Sequence, residues 1–277
     1  MLVALLAEQE LKEKHPEIFS KVIATLSPLT KFFKERKESM VEASLAADHV
    51  KDDHFKFLEK SHFTDFPIYY KADPDLKFRD SEKLTSLKFM KNAVPILKRI
   101  NSSLKVNEKF IKSLFLRWVI HIVGDMHQPL HSATLVSNIL FNGKISKSDW
   151  GGNLIKISTF NPNITNLHSL WDSAGIRYTF RPETPLSPDG VKQLEKLAAE
   201  LKIKYPISFF GKLCEEKIPE VWADEAFKVA KDVVYKDVEL TPQVTGDYVY
   251  LSRRETDRMI ALGGCRLANL LVYIYSD

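Results

Sequence analysis

The chain has 277 residues, 44% hydrophobic and 27% charged, which is ordinary globular composition and enough length for a sizeable core. Forty basic against 36 acidic residues leave a net charge of +4, so there is no polybasic footprint and any nucleic acid would be held at a site rather than by a broad field. No apolar run reaches transmembrane length, no repeat is visible, and no long linker interrupts the chain, so one domain is expected over 1–277.

Residues 1–14 read as a helix, apolar at Leu2, Leu5, Leu6 and Leu11 and broken at His15-Pro16. A second helix is expected over 17–26, with Ser27-Pro28 marking a new start. The charged run 31–38 reads as a solvated face anchored by Phe32 and Phe33, and residues 43–48 are again helical by composition. His54, His62 and Pro67 lie in aromatic, irregular sequence ending at Tyr69-Tyr70. Leu84, Leu87, Met90, Val94 and Leu97 give an amphipathic helix bent at Pro95.

A central helix follows over 106–126, then a polar and apolar mixture to Lys147 and a short β-prone run at 154–157. Helices resume over 167–176, 188–202, 219–234 and 257–274, where Gly263-Gly264 allows a neighbour to approach closely. The fold class is mainly α, with little or no sheet. Cys214 and Cys265 permit at most one disulfide and leave the compartment open. Asn101-Ser102-Ser103 and Asn163-Ile164-Thr165 match glycosylation acceptors. The segment 2–7 is too short for a signal peptide and lacks a basic leader.

The chemistry concentrates in the central helix. Arg117, His121 and Asp125 interrupt an apolar run at spacing four and so share one helix face. Charged groups in a buried helix are costly without partners, and Arg117 is expected to pair with a carboxylate near Asp125. Pro129 ends the helix and His131 lies just beyond it. A single His or Asp in such a helix is ordinarily a hydrogen-bonded core residue. The second copy of the spacing, His168 and Asp172, changes that reading. Two His-x3-Asp pairs with His131 fit a polynuclear zinc site, imidazole and carboxylate being zinc's usual non-thiol ligands.

Four separated segments now line up: Ala47-Asp48-His49-Val50-Lys51, Ser61-His62-Phe63-Thr64-Asp65, the stretch Gly124-Asp125-Met126-His127-Gln128-Pro129-Leu130-His131, and His168 to Asp172. With Asp149-Trp150-Gly151-Gly152-Asn153, Trp222-Ala223-Asp224-Glu225 and Gly263-Gly264-Cys265-Arg266-Leu267-Ala268-Asn269-Leu270-Leu271, this set resembles the zinc-dependent class I nucleases. These are the mould single-strand-specific nucleases, the plant bifunctional nucleases and the protozoan 3′-nucleotidase/nucleases, which share a helical fold with bacterial zinc phospholipase C. The resemblance implies one zinc held by Asp48, His62, His121 and Asp125, and a second by His131, His168 and Asp172. A third would share Asp125 and draw its other ligands from an N-terminal Trp and a nearby His.

By the same resemblance Lys51, where relatives often carry Arg, neutralises charge on the transition state. Phe63 either stacks on a nucleobase or fills the core. Asp65 and Asn153 stand near substrate, as a base or phosphate contact and a metal-site brace, or else are turn residues. His127 matches no ligand position and reads as structural; His15, His49 and His54 read as surface groups. The implied protein is a secreted, monomeric nuclease that cuts single-stranded RNA and DNA to 5′-nucleotides, removes 3′-phosphates, and has no stable membrane association. The alternatives are a phospholipase C on the same scaffold and a non-catalytic member that binds metal or single strands. Two features depart from the family. Residues 132–148 form an insertion beside the presumed cleft. The start, Val3 to Ala7, matches the family segment just after its zinc-binding His, so the chain reads as N-terminally truncated and equipped for two metals rather than three.

Overall fold

The computed structural model describes residues 1–52, 56–72, 75–78, 84–99, 106–138, 148–178, 184–236 and 244–276, with the backbone alone at 51, 52, 56, 57 and 106. His54, Asn101 and most of the insertion at 132–148 therefore lie outside the described residues. In chain order the helices are α1 (Leu2–Lys14), α2 (Pro16–Thr30), α3 (Ala46–Asp52), α4 (Ser86–Arg99), α5 (Val106–Asp125), α6 (Leu167–Asp172), α7 (Pro188–Lys204), α8 (Ile207–Phe210), α9 (Pro219–Val229) and α10 (Gly246–Tyr275). The fold is mainly α. Among the described residues no helix is long and apolar enough to cross a membrane.

The core forms around the second half of α5, where Leu116, Trp118, Val119, Ile120, Ile122 and Val123 are buried. Apart from the face that carries Arg117, His121 and Asp125, this half of the helix is apolar because α1, α2, α4, α9 and α10 supply its surroundings. α1 packs along α10, and the close neighbour anticipated for Gly263-Gly264 is this helix. A Cβ on Gly264 would lie 2.6 Å from Cβ of Leu6, so any side chain there would push the two helices apart.

α2 runs through Pro28 to Thr30 instead of restarting at Ser27. Pro28 cannot donate to the Ala24 carbonyl, but the Ser27 hydroxyl does so at 2.9 Å, which leaves no orphaned acceptor. Of the two phenylalanines after it, Phe33 is buried and Phe32 is exposed, so only one is an anchor. Pro95 lies within a continuous α4. α9 ends at Val229 and passes into a π-helical turn, Ala230–Val234, while α10 starts at Gly246, well ahead of the expected 257.

The described sheet has two strands, β1 (Phe66–Tyr69) and β2 (Ala133–Val136), paired in parallel with Phe66 opposite Ala133 and Tyr69 opposite Val136. The β-prone run at 154–157 is not part of it; only an isolated bridge joins Lys156 to Asn166. This small sheet matters because it fixes the segment after His62 beside the segment after His131. The backbone N–H of Thr64 donates to the His131 carbonyl at 2.8 Å, locking the two together. Cys214 and Cys265, left open by the sequence, form a disulfide.

Candidate metal centre

Asp48 stands on α3, His62 ends the 3-10 segment Lys56–His62, His121 and Asp125 lie on one face of α5, and His131 closes the 3-10 turn Pro129–His131. His168 and Asp172 lie four apart on α6, whose start is fixed by Asn166: its side chain accepts from the Ser169 N–H at 2.8 Å. Asp48, His62 and His121 converge in one group, and His131, His168 and Asp172 in another, the donor atoms of each lying within 4.8 Å of one another. Asp125 stands between them. Its Oδ2 is 3.0 Å from His62 Nδ1 and 2.9 Å from His121 Nε2, and its Oδ1 is 3.6 Å from His131 Nδ1.

Three of the four imidazoles are held the same way. Nδ1–H of His121 donates to the Ser44 carbonyl at 2.5 Å, that of His131 to the His62 carbonyl at 3.1 Å, and that of His168 to the Gly151 carbonyl at 2.7 Å. Each bond selects the tautomer whose Nε2 lone pair faces the cluster, the arrangement that orients histidine for a metal ion. The donor set therefore fits a metal on its own chemistry: oriented imidazoles, adjacent carboxylates and no thiol. The imidazoles of both clusters are largely buried, while Asp48 and Asp172 are each 49% exposed, so each cluster has a dry floor and a wet edge.

In the metal-free protein the same groups balance one another's charge. Burial opposes a charge on His121, but the carboxylates of Asp125 and Asp48 overcome it and raise its pKa to about 9. Burial likewise works against ionised Asp125, yet His121 and His131 hold its carboxyl far below the usual range. Without metal, His121 and Asp125 form an imidazolium–carboxylate pair, and metal binding must displace that proton.

Several neighbours brace the site that the spacing pattern did not single out. Gln128 donates from Nε2 to Asp172 Oδ1 at 2.8 Å and accepts the Leu130 N–H, tying the turn after α5 to α6. Gly151 is required because its φ is +59° and a Cβ would lie 2.6 Å from the Leu130 carbonyl oxygen. Asp149 anchors this turn from below, accepting from the Leu135 N–H at 2.8 Å and the Tyr235 hydroxyl at 2.7 Å. Trp150 has a φ of +55°, an uncommon conformation for a bulky residue, and is 58% exposed one position before the carbonyl that orients His168. The sequence marked the motif Asp149 to Asn153 but assigned no role to Trp150 itself.

The other predicted residues are placed as follows. Phe63 follows His62 and is half-buried, with the Lys60 ammonium 5.5 Å from its ring centroid. Asp65 lies half-buried on the same segment. Asn153 is exposed and its side chain donates to the Trp150 carbonyl at 2.9 Å, closing the turn. Lys51 is on α3, its side chain outside the described part. His127 points away from the donors: its Nδ1–H donates to Val123 O at 2.7 Å, and burial followed by the Arg266 charge lowers its pKa to about 3, so it is neutral. Arg117 does not pair near Asp125. Its partner is Glu35, from the turn after α2, with further bonds to the Ser113 and Leu26 carbonyls. Two helical turns separate Arg117 from Asp125, roughly 12 Å along the axis, so each end of the stripe finds its own partners. His15 and His49 are half-buried.

Fold and site together define a class: a mainly helical protein with a paired His/Asp centre able to hold metal ions. The chain belongs to the S1/P1 nuclease family, whose family model matches residues 1–276. Similar proteins include Endonuclease 3 of Arabidopsis thaliana, 30% identical over 58% of this chain and 51% of the relative, and Endonuclease 5 of the same plant, 31% identical over the same shares. Nuclease S1 of Aspergillus oryzae is 40% identical over 21% of this chain and 15% of its own. The chain spans about half the length of the plant relatives it matches.

Proposed function

We propose that the chain is a zinc-dependent phosphodiesterase that hydrolyses single-stranded RNA and DNA to 5′-nucleotides and also removes 3′-phosphates from mononucleotides. The observation that carries this reading is Asp125 standing between two His/Asp clusters in a chain of this family. One zinc is assigned to Asp48, His62, His121 and Asp125 and another to His131, His168 and Asp172, since imidazole and carboxylate donors without thiolate suit that ion. Among the described residues no third group of three such donors converges. Bound zinc would supply Lewis acidity and bring a coordinated water's pKa towards neutrality.

The chain's own residues do the remaining work. Asp48 and Asp172 form the exposed edge at which a phosphodiester would arrive, and the carbonyls of Ser44, His62 and Gly151 keep the imidazole lone pairs aimed inward. Lys51 would neutralise charge gathering on the phosphorus, as a point charge rather than a bidentate fork. Asp65 would contact base or phosphate. Phe63 and the exposed Trp150 offer aromatic faces near the two clusters, and a base must leave its duplex stack to reach such a platform, which favours single strands. Asn153 serves by holding the Trp150 turn. The protein is read as a secreted monomer by the same resemblance.

The test combines elemental analysis after zinc-supplemented refolding with turnover on single-stranded DNA, duplex DNA and phosphatidylcholine. Zinc together with faster cleavage of single strands is expected. Fewer than one zinc per chain, equal rates on both DNAs, preference for the lipid, or zinc without turnover would each overturn the reading in a different place.

A further inference from the structure

We propose that the surface formed by residues 202–218 is a docking face for membranes rich in anionic phospholipid, independently of the reaction at the metal centre. From the end of α7 through α8 and the following 3-10 turn, Ile203, Ile207, Phe209, Leu213 and Ile218 are exposed, Ile203 by 83% and Phe209 by 58%. The underside of this segment is well held. Phe210 and Cys214 bury against Ala261, Leu262 and Cys265 of α10, and the Cys214–Cys265 disulfide ties the two together. Tyr205 lies 5.4 Å from Phe209, ring to ring, and Lys202, Tyr205, Ile207 and Cys265 line one shallow depression, so the ends of α7 and α8 share a face. The apolar side chains are thus presented by fixed backbone rather than by a fraying loop.

Charge decides which partner fits. Lys202, Lys204, Lys212 and Lys217 are exposed among these apolar groups, against Glu215 and Glu216 in the same span and Glu10, which also lines the depression and is paired with Lys14 at 2.7 Å. Lys204 is 3.2 Å from Asp257, and one Glu216 oxygen accepts the N–H groups of Lys217 and Ile218. Lysine is depleted at the cores of protein interfaces. Aliphatic and aromatic side chains interspersed with lysine instead match the boundary between acyl chains and anionic headgroups. Five large apolar side chains left in solvent over one short span mark it as an interaction site. Peripheral docking of this kind needs no spanning helix, so it is compatible with the lack of one among the described residues and departs from the expectation of no membrane association.

The test is co-sedimentation of the full chain with vesicles of phosphatidylcholine alone and with phosphatidylserine added, at low and high salt. Binding is expected to require phosphatidylserine and to weaken with salt. Ile207→Ser with Phe209→Ser should lower affinity at least tenfold, and each of Lys202→Gln, Lys212→Gln and Lys217→Gln about fivefold, with melting temperature and metal content unchanged. The same variants separate this face from headgroup contacts at the metal centre, which they leave intact. No binding, equal binding to neutral vesicles, or unaltered binding by the variants overturns the proposal. So does a lipid-free dimer that the double variant dissolves, which would make a second copy the occupant.

Discussion

Asp125→Asn keeps the shape of a side chain and removes its charge at the point where the two clusters meet. The replaced oxygen lies 3.0 Å from His62 Nδ1 and 2.9 Å from His121 Nε2, so an uncharged amide would have to serve both imidazoles. In the metal-free protein the carboxylate contributes most of the pull that raises His121 from 6.5 to about 9, a shift equivalent to no more than about 3 kcal/mol. Because the folded pKa is raised, that stabilisation is fully present below pH 6.5 and is lost as pH rises through about 9. The metal-free variant should therefore be less stable than metal-free wild type by up to about 3 kcal/mol near pH 6, and the gap should close above the folded pKa. In zinc the variant should lose at least one ion per chain and its turnover on single-stranded DNA. Urea unfolding of chelator-treated proteins at the two pH values, elemental analysis and the nuclease assay read all three effects. Normal metal content with normal turnover would move the site elsewhere, and a stability gap independent of pH would refute the His121–Asp125 coupling.

Zinc added to metal-free protein in weak buffer at neutral pH should release close to one proton from His121, since its pKa of about 9 keeps it protonated there; titration without proton release contradicts the assignment. Phe63→Ala should weaken single-strand binding by roughly 1–3 kcal/mol, and an unchanged Michaelis constant would remove Phe63 from the cleft. Glu35→Gln leaves the fully buried Arg117 guanidinium without its ionic partner and should cost about 3–5 kcal/mol in urea unfolding while leaving zinc content intact. A variant as stable as wild type would show that the pair contributes nothing, and one that loses zinc would give Arg117 a role at the centre.

The sequence alone specified the central helix, because a stretch with eight apolar residues in the ten from 114 to 123 is too long for an ordinary strand, and it specified His121 and Asp125 as neighbours, because four residues make about one helical turn. The His168 and Asp172 pair was readable for the same reason. These are local relations, and local geometry is what a residue pattern encodes directly. Other relations needed the tertiary structure. Whether Cys214 and Cys265 pair, that Glu35 rather than a nearer carboxylate meets Arg117, and that a parallel pair of short strands draws His62 alongside His131 all depend on contacts between segments far apart in the chain. The extra length of α2 turned on one hydroxyl, Ser27, accepting the task that Pro28 cannot perform. Trp150 belonged to a motif legible in the sequence, but its own place was not, because a positive φ and an exposed ring are properties of a backbone already folded around Gly151 and His168. Spacing shows which residues share a helix face; only packing decides which faces meet, because each meeting depends on shape and burial summed over the whole core.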